Sequence, residues 1–146
     1  MTDRVAYLLD TNVFSEMMRS APNETVASFL DQTRVEGHGI SVVTAWEIQN
    51  GIRRLDDGKR RRDLKHMFNG VLADLFADRV FPWDLSAASV CAEIMDTRRR
   101  SGRPLDDHLP DAIIASTARA NGLTLVTRNV SEFENTGLDL INPWAA

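Results

Sequence analysis

Val5-Ala6-Tyr7-Leu8-Leu9-Asp10 decides the fold of this chain. Its first five residues are apolar, with no polar residue alternating between them, and a carboxylate ends the run. A strand with one solvated face would alternate, whereas an unbroken apolar run is typical of a strand buried on both faces of a parallel sheet. The sequence therefore predicts a buried parallel strand over residues 5–9, with Asp10 at its carboxyl end.

Segments with helical and with strand patterns alternate through the rest of the chain. Pro82 removes a donor from the hydrogen-bond ladder, which places its strand at an edge of the sheet. Pro110 suits the first turn of a helix, and Ser86 is the predicted cap of another. Further strands are predicted at residues 40–43, 80–83, 123–127 and 138–141, and helices at residues 23–33, 44–51, 57–74, 86–100 and 110–121, with a short helix from Val13. This alternation predicts a three-layer α/β/α fold with a mostly parallel central sheet.

A single domain accounts for the whole chain of 146 residues, because roughly 150 residues is an ordinary domain size. The single cysteine, Cys91, cannot form an intrachain disulfide and fits a reducing compartment. It lies in an apolar helical stretch, so we expect it in the core. The apolar run near the N-terminus is too short for a signal peptide or a membrane span. We therefore expect one domain over residues 1–146, in the cytoplasm and without membrane contact.

The net charge is −4, from 17 Lys and Arg against 21 Asp and Glu. Taken as a total, it argues against a nucleic-acid partner. The cations are concentrated, however, with seven between residues 53 and 65 and four between residues 98 and 103. Such runs are usually solvated helix faces, but two of them beside an acidic site would form a track for phosphates. The placement of the charges therefore decides the interpretation.

Polar residues gather where the predicted strands end. Asp10 follows the first strand, Thr127 and Asn129 follow the late one, and Glu47 lies in the helix after the second strand. Asp111 starts the helix before the late strand, and residues 112–118 have so few polar groups that we expect this helix to be buried. Ligands of such sheets bind at the carboxyl ends of the strands. Three carboxylates meeting there would need a cation or strongly shifted pKa values, and oxygen ligands without a Cys/His cluster favour Mg²⁺ or Mn²⁺ over zinc.

Each of these residues also has a purely structural explanation. Asp10 and Asn129 are common turn residues, and Asp111 is favoured by the dipole in a first helical turn. Thr44 and Glu47 have the spacing of a capping box, in which each side chain satisfies a backbone donor of the other. The three histidines lack metal-ligand spacing, so we expect surface or capping roles for them: His38, His66 and His108.

Four motifs occur in a fixed order along the chain: Leu8-Leu9-Asp10-Thr11-Asn12, Thr44-Ala45-Trp46-Glu47, Asp111-Ala112-Ile113-Ile114-Ala115 and Thr127-Arg128-Asn129. In this order the sequence resembles the PIN-domain ribonucleases, and more narrowly the VapC/FitB-type toxins of bacterial toxin–antitoxin pairs. The resemblance covers nearly the whole chain and implies a PIN-like fold. It implies a metal-dependent endoribonuclease in which Asp10, Glu47 and Asp111 are catalytic acids and ligands of Mg²⁺, or of Mn²⁺.

The resemblance also implies roles for further residues. Asn129 and Thr127 would orient a water or a metal-bound oxygen. Many relatives have an acid at the position of Asn129, and Glu132 in the following turn is the candidate substitute. The RNA-binding candidates from the two basic runs are Arg60, Arg61, Arg62 and Arg99.

Toxins of this type are held inactive by a small antitoxin, here of the VapB/FitA type. Its C-terminal segment would wrap the toxin, and operator DNA would be bound only through its N-terminal part. The expected docking surface includes Phe14, Met17, Met18 and the basic helix, although the three apolar residues would serve equally well in the core. Relatives commonly form homodimers, so we expect one here.

Three other functions compete with this interpretation. A haloacid dehalogenase-type phosphatase also has an Asp after the first strand, but it needs a second acid at the position of Asn12. A receiver-like module would carry its phosphorylated Asp after a middle strand. A catalytically degenerate PIN domain that only binds RNA or a partner is the stronger rival, because Asn129 brings no charge.

Overall fold

The computed structural model describes residues 4–146, so residues 1–3 of the predicted domain lie outside the described part. Within residues 4–146 there are five strands and six helices, and a pair of helices follows each of the first three strands. The strands are β1 (Tyr7–Leu9), β2 (His38–Ser41), β3 (Val80–Phe81), β4 (Thr124–Val126) and β5 (Leu140–Ile141). The helices are α1 (Thr11–Met17), α2 (Glu24–Gln32), α3 (Val42–Arg53), α4 (Lys59–Leu75), α5 (Leu85–Arg100) and α6 (Leu109–Ala120), with 3₁₀ turns at Arg34–Glu36 and Val130–Phe133.

The strands form one sheet in the order β3-β2-β1-β4-β5, and each described pairing is parallel. The first strand lies at the centre, and β3 lies at an edge, as Pro82 predicted. The chain builds outward from β1 to β2 and β3 on one side, and to β4 and β5 on the other. The order therefore reverses between β1 and β4, and the crevice at the carboxyl ends of these two strands is where ligands bind in such sheets.

Alternate residues of the central strands face two separate cores. Leu9 and Val126 pack with α1–α4 on one side of the sheet. Leu8 and Leu125 pack with α5 and α6 on the other, where Cys91 is buried as expected. Helices thus cover both faces, which confirms the three-layer α/β/α fold and explains why β1 is apolar on both sides.

Two predicted helix starts are wrong, and the first of them concerns the site. The predicted strand at residues 40–43 ends at Ser41, whose Oγ accepts a hydrogen bond from the amide of Val43, so α3 begins at Val42. Thr44 and Glu47 therefore lie inside the helix, and the predicted capping box does not form. Likewise Asp84, not Ser86, caps α5.

Other residues also depart from expectation. His38 is buried rather than on the surface, and its Nε2 lies 2.7 Å from the hydroxyl of Thr33. Phe14 is fully buried and Met18 nearly so, so both belong to the core. Within residues 4–146, no helix has the length and apolar character needed to cross a membrane.

Candidate active site

Asp10 is the most buried carboxylate of the candidate site, with 4% of its surface exposed. It caps α1, and its Oδ1 accepts from the amide of Thr11 at 2.8 Å. Its Oδ2 accepts from the hydroxyl of Thr127 at 2.7 Å and from the side-chain Nδ2 of Asn12 at 3.3 Å. Burial raises the pKa of Asp10 above its ordinary value, although these three donors act to lower it. The residues around Asp10 hold it in one orientation without supplying a compensating cation.

Glu47 faces the same crevice from the second turn of α3. Its Oε1 accepts from the hydroxyl of Thr11 at 2.6 Å. Because Thr11 gives its proton to Glu47, the hydroxyl of the buried Thr44, 3.0 Å away, donates to Thr11. Partial burial raises the pKa of Glu47, and the charge of Asp10 raises it further. Thr44 thus supports Glu47 through Thr11 rather than by capping the helix.

Asp111 lies in the first turn of α6, a buried helix as expected. Its pKa is raised to about 6, first by burial and then by the charges of Asp10, Glu132 and Glu47, with His108 acting in the opposite direction. A first-turn acid that served only the helix dipole would keep a low pKa, because the dipole favours the charged form. The environment of Asp111 disfavours its charge instead, and the other carboxylates are part of the reason.

One open cavity brings the predicted acids together at the switch point of the sheet. Carboxylates from four separate parts of the chain line it, namely Asp10, Glu47, Asp111 and Glu132. We call this the carboxylate cavity; its other lining residues are Thr11, Asn12, Ser15, Glu16, Arg19, Arg128, Asn129 and Trp144. The convergence that the sequence predicted for Asp10, Glu47 and Asp111 is therefore present.

Asn129 and Thr127 occupy different positions relative to this cavity. Asn129 is exposed and lines it, so its side chain can reach a ligand or water there. Thr127 is fully buried; it donates to Asp10 and accepts from the amide of Asn129. Thr127 therefore holds the carboxylate of Asp10, and its burial is incompatible with the predicted contact to a water.

The donor set suits a hydrated Mg²⁺ better than a fully protein-enclosed ion. Residues 4–146 contain no group of three carboxylate, His or Cys side chains already arranged around one point. Mg²⁺ usually keeps several waters and binds through one or two carboxylates, so such a group is not required. The pKa values of Asp10, Glu47 and Asp111 are all raised, and a divalent cation is the partner that would relieve their repulsion. Asp10, Glu47 and Asp111 therefore fit a hydrated Mg²⁺ ion.

The two basic runs differ in how their cations are engaged. Arg98 is buried and donates to the carbonyls of Arg103 and Glu134. Arg99 forms a salt bridge with Asp106 at 3.1 Å, so this RNA-binding candidate already has a carboxylate partner. The remaining two cations of this run are also paired, Arg100 with Asp96 and Arg103 with Glu134.

The first run is largely unpaired. Lys59 binds Asp63 at 2.8 Å. The other six cations have no carboxylate partner within the described part of the chain; they are Arg53, Arg54, Arg60, Arg61, Arg62 and Lys65. Three of the four RNA-binding candidates, Arg60, Arg61 and Arg62, therefore form no salt bridge within the described part of the chain.

Sequence reasoning missed several residues of the site. Thr11 and Asn12 belong to the motifs but received no role in the site, and Thr44 was considered only as a helix cap, although these residues hold Glu47 and Asp10. Their signal is the concentration of hydroxyl and amide side chains in the first turns of helices that follow strands. Trp144 was also missed: the guanidinium of Arg128 stacks on its ring, 4.9 Å from the centroid. No local pattern predicts that contact.

Comparisons with known proteins agree with this arrangement. The model of the PIN domain family matches residues 7–137. The chain is 36% identical over 137 residues to "VapC ribonuclease Y4jK" of Sinorhizobium fredii, covering 94% of this chain and 96% of that protein. It is 34% identical over 137 residues to "Toxin FitB" of Neisseria gonorrhoeae, covering 94% and 97%. The solved structure of "FitAB bound to IR36 DNA fragment" superposes with a TM-score of 0.85 at 33% identity, covering 94% of this chain and 95% of that one. The matched span includes all five carboxylate residues that line the carboxylate cavity, namely Asp10, Glu16, Glu47, Asp111 and Glu132.

Proposed function

The chain belongs to the PIN domain family, as a ribonuclease toxin of the VapC/FitB type, and from this premise we propose that it is a Mg²⁺-dependent endoribonuclease. It hydrolyses phosphodiester bonds within RNA and leaves a 5′-phosphate and a 3′-hydroxyl. Residues 1–146 form a single nuclease domain. The observation that carries the proposal is the carboxylate cavity, in which acids from four parts of the chain converge and three of them have raised pKa values.

Asp10 and Asp111 would hold the metal ion directly or through water, and Glu47 would complete its acidic surroundings. When bound, Mg²⁺ lowers the pKa of its water and stabilises the charge that develops on the phosphate. Thr127 keeps Oδ2 of Asp10 oriented, and Thr11 keeps Oε1 of Glu47 oriented. Because each of these hydroxyls donates to its carboxylate, the acids are arranged before substrate arrives.

Asn129 and Glu132 decide between an active nuclease and a degenerate one. Asn129 lines the carboxylate cavity and offers an amide oxygen to a water or the metal ion. Glu132 lines the same cavity and its charge acts on both Asp10 and Asp111. Since a fourth carboxylate lies within electrostatic reach, the negative charge that Asn129 does not supply is still present. This supports catalysis over a role limited to binding.

The test is cleavage of single-stranded RNA with Mg²⁺ by the wild type and Asp10→Asn. We expect cleavage by the wild type, its loss in EDTA, and a 5′-phosphate on the new end. Asp74→Asn, an exposed acid outside the carboxylate cavity, is the matched control and should retain activity. Equal cleavage by wild type and Asp10→Asn would assign the activity to a contaminant and defeat the proposal.

An antitoxin of the VapB/FitA type is the second part of the proposal. An apolar groove between α1 and α3 is lined by Met18, Ile48, Ile52, Leu55 and Leu64, and Thr11 and Glu47 also belong to it. These two residues line the carboxylate cavity as well, so a peptide in the groove would cover the acids. Phe14 is too buried to take part. We expect Leu55→Lys to weaken binding of the purified antitoxin while RNA cleavage by the free toxin persists. Unchanged antitoxin binding would place the contact elsewhere.

Membership of the VapC/FitB-type toxins also leads us to propose how the protein assembles. Operator DNA would be bound through the antitoxin only. The exposed apolar side chains Val42, Trp46 and Leu85 support a homodimer. They lie at the starts of α3 and α5, beside the carboxyl ends of β2 and β3. Sedimentation should show a dimer that Trp46→Lys shifts toward monomer, and a wild-type monomer at micromolar concentration would contradict this part of the proposal.

A further inference from the structure

A cavity with an excess of positive charge lies between α3 and α4, outside the carboxylate cavity. Its walls carry the four cations Arg53, Arg61, Arg62 and Lys65 against the single acid Asp57. We call it the cationic cavity; its remaining lining residues are Gln49, Ile52, Phe68 and Asn69. The four cations have no carboxylate partner among residues 4–146. The cavity therefore has more cations than acids, and its four cations are available to an anionic ligand.

The start of α4 adds a second, independent indication of an anion. Its first turn reads Lys59-Arg60-Arg61-Arg62 and contains no acid. No side chain of the described residues caps the helix at Gly58. The N-terminus of a helix repels cations and attracts anions, because its free amide groups carry a partial positive charge. Four cations at this position add to the positive potential that the helix already creates, and a bound anion would relieve both.

The cavity selects among the cations of the basic run. Arg61, Lys65, Phe68 and Asn69 follow one another at the spacing of a single helix face, and all four line the cavity. Arg60 lies next to Arg61 in sequence but does not line it. Arg61, Arg62 and Lys65 thus line the cavity whereas Arg60 does not, although the side chains of Arg62 and Lys65 are also exposed to solvent.

The cationic cavity and the carboxylate cavity each share lining residues with the apolar groove that lies between α1 and α3. Ile52 lines both the cationic cavity and the apolar groove, and Thr11 and Glu47 line both that groove and the carboxylate cavity. Along α3, Glu47 and Arg53 are separated by a rise of about 9 Å. A chain that is held at the carboxylates therefore reaches the cationic cavity within a few nucleotides.

From these observations we infer that the cationic cavity is a substrate subsite that binds a nucleotide of single-stranded RNA flanking the scissile bond. Arg53, Arg61 and Lys65 hold its phosphate, and Ile52 and Phe68 form an apolar floor against which a base packs. This inference rests on the proposed function, because it is the RNA held at the carboxylates that continues into the cavity. An acidic protein segment is the competing occupant, and the test separates the two.

The decisive comparison uses two double variants with the same change in charge. Arg53→Gln with Arg61→Gln removes cations from the cavity. Arg54→Gln with Arg60→Gln removes two neighbouring cations that also have no salt-bridge partner but do not line it, Arg54 at the C-cap of α3 and Arg60 in α4. The probe is a fluorescein-labelled oligouridylate dodecamer, bound in EDTA so that no cleavage occurs, and titrated at several salt concentrations. Thermal unfolding of each variant confirms that it is folded.

We expect the Arg53/Arg61 variant to bind the dodecamer roughly tenfold more weakly and to reduce the salt slope by about 0.7, since one phosphate contact to a single strand contributes about 0.7. The Arg54/Arg60 variant should bind nearly as the wild type does, because Arg60, although the sequence made it an RNA-binding candidate, does not line the cavity. In Mg²⁺, the Arg53/Arg61 variant should raise KM for the dodecamer, but it should cleave a dinucleotide, which is too short to reach the cavity, as fast as the wild type does.

If both double variants bound the dodecamer equally weakly, the effect would be one of general electrostatics and the subsite would be overturned. Unchanged binding of the dodecamer by both variants would also overturn it. If the Arg53/Arg61 variant lost binding to the purified antitoxin while retaining the oligouridylate, the cavity would belong to the protein partner instead. Failure of the proposed function has a different signature. The wild type would then cleave nothing in Mg²⁺, while the difference between the two double variants in EDTA would remain.

Discussion

Replacing Asp111 by Asn should stabilise the metal-free protein while destroying its activity. The substitution keeps the shape of the side chain and removes its charge. Asp111 is half-buried beside Asp10, Glu47 and Glu132, and its pKa is raised to about 6 from an ordinary value of 3.8. Above that pH the folded protein carries an ionised carboxylate that its surroundings disfavour.

The magnitude follows from this shift. Each pKa unit corresponds to about 1.4 kcal/mol, so the full shift would amount to about 3 kcal/mol. Solvent reaches the half-buried side chain and screens much of it, and Asn loses the interaction of a charged group with the helix dipole, worth about 0.5 kcal/mol. We therefore expect Asp111→Asn to raise the free energy of unfolding by about 1 kcal/mol at pH 8 in EDTA.

The sign can be checked by changing the pH. A carboxyl whose pKa is raised on folding lowers the free energy of unfolding progressively as the pH rises from its unfolded pKa to its folded pKa, and the full cost is reached above the folded pKa. Asp111 is protonated in both states below about pH 4, so wild type and variant should be equally stable there. The difference should grow as the pH rises from about 4 to about 6 and then remain constant. Urea unfolding of both proteins at a series of pH values in EDTA measures it.

Adding Mg²⁺ should reverse the ranking. The ion binds the folded wild type and stabilises it in proportion to the logarithm of its concentration, whereas the variant lacks one of the proposed ligands and should gain little. If Asp111→Asn were less stable than the wild type at pH 8 in EDTA by about 1 kcal/mol or more, Asp111 would be a structural residue of α6. The argument from charge repulsion would then fail.

Three further substitutions test single contacts. Thr127→Val removes a fully buried donor to Asp10 and should lower the free energy of unfolding by about 2 kcal/mol in urea, together with activity; unchanged stability would contradict the hydrogen bond. Glu47→Gln still accepts from Thr11 and should leave stability within about 0.5 kcal/mol while cleavage falls roughly a hundredfold or more, and retained cleavage would make Glu47 structural. Glu132→Gln changes an exposed side chain and should raise the Mg²⁺ concentration for half-maximal cleavage roughly tenfold. If Glu132 supplies the negative charge that Asn129 lacks, adding Asn129→Asp to this variant should restore the wild-type Mg²⁺ requirement.

The fold could be predicted from the sequence because its signals are local. The apolar run before Asp10 identifies a strand buried on both faces, and Pro82 identifies an edge. The start of α3 could not be predicted in the same way. Ser41 and Thr44 are both good capping residues, and the choice depends on where the parallel pairing of β2 ends. That pairing is a tertiary interaction which no short window of sequence contains.

The start of α3 at Val42, rather than after a cap at Thr44, changes the role of Glu47 in the candidate site. With a cap at Thr44, Glu47 would be occupied with the backbone of its own helix. With the cap at Ser41, the side chain of Glu47 is free to face Asp10 and accepts from Thr11, which lies far away in sequence. The structural explanation that competed with catalysis for Glu47 is thereby removed. Asp111 still has the position of an acid that is favoured by the helix dipole, since it lies in the first turn of α6. Urea unfolding at a series of pH values distinguishes this structural role from a role in metal binding.

The two basic runs show why a count of charges could not identify the binding surface. In sequence they are alike, dense in Arg and close to predicted helix ends. In the structure one of them satisfies the protein's own carboxylates and carbonyls, through Arg98, Arg99 and their neighbours, while the other leaves Arg61 and Lys65 unpaired at a cavity. A cation that already has a carboxylate partner must give it up to bind phosphate, whereas an unpaired cation loses only counterions and water. The net charge of −4 is therefore compatible with RNA binding, because the charge that matters is the part left unneutralised beside the carboxylate cavity.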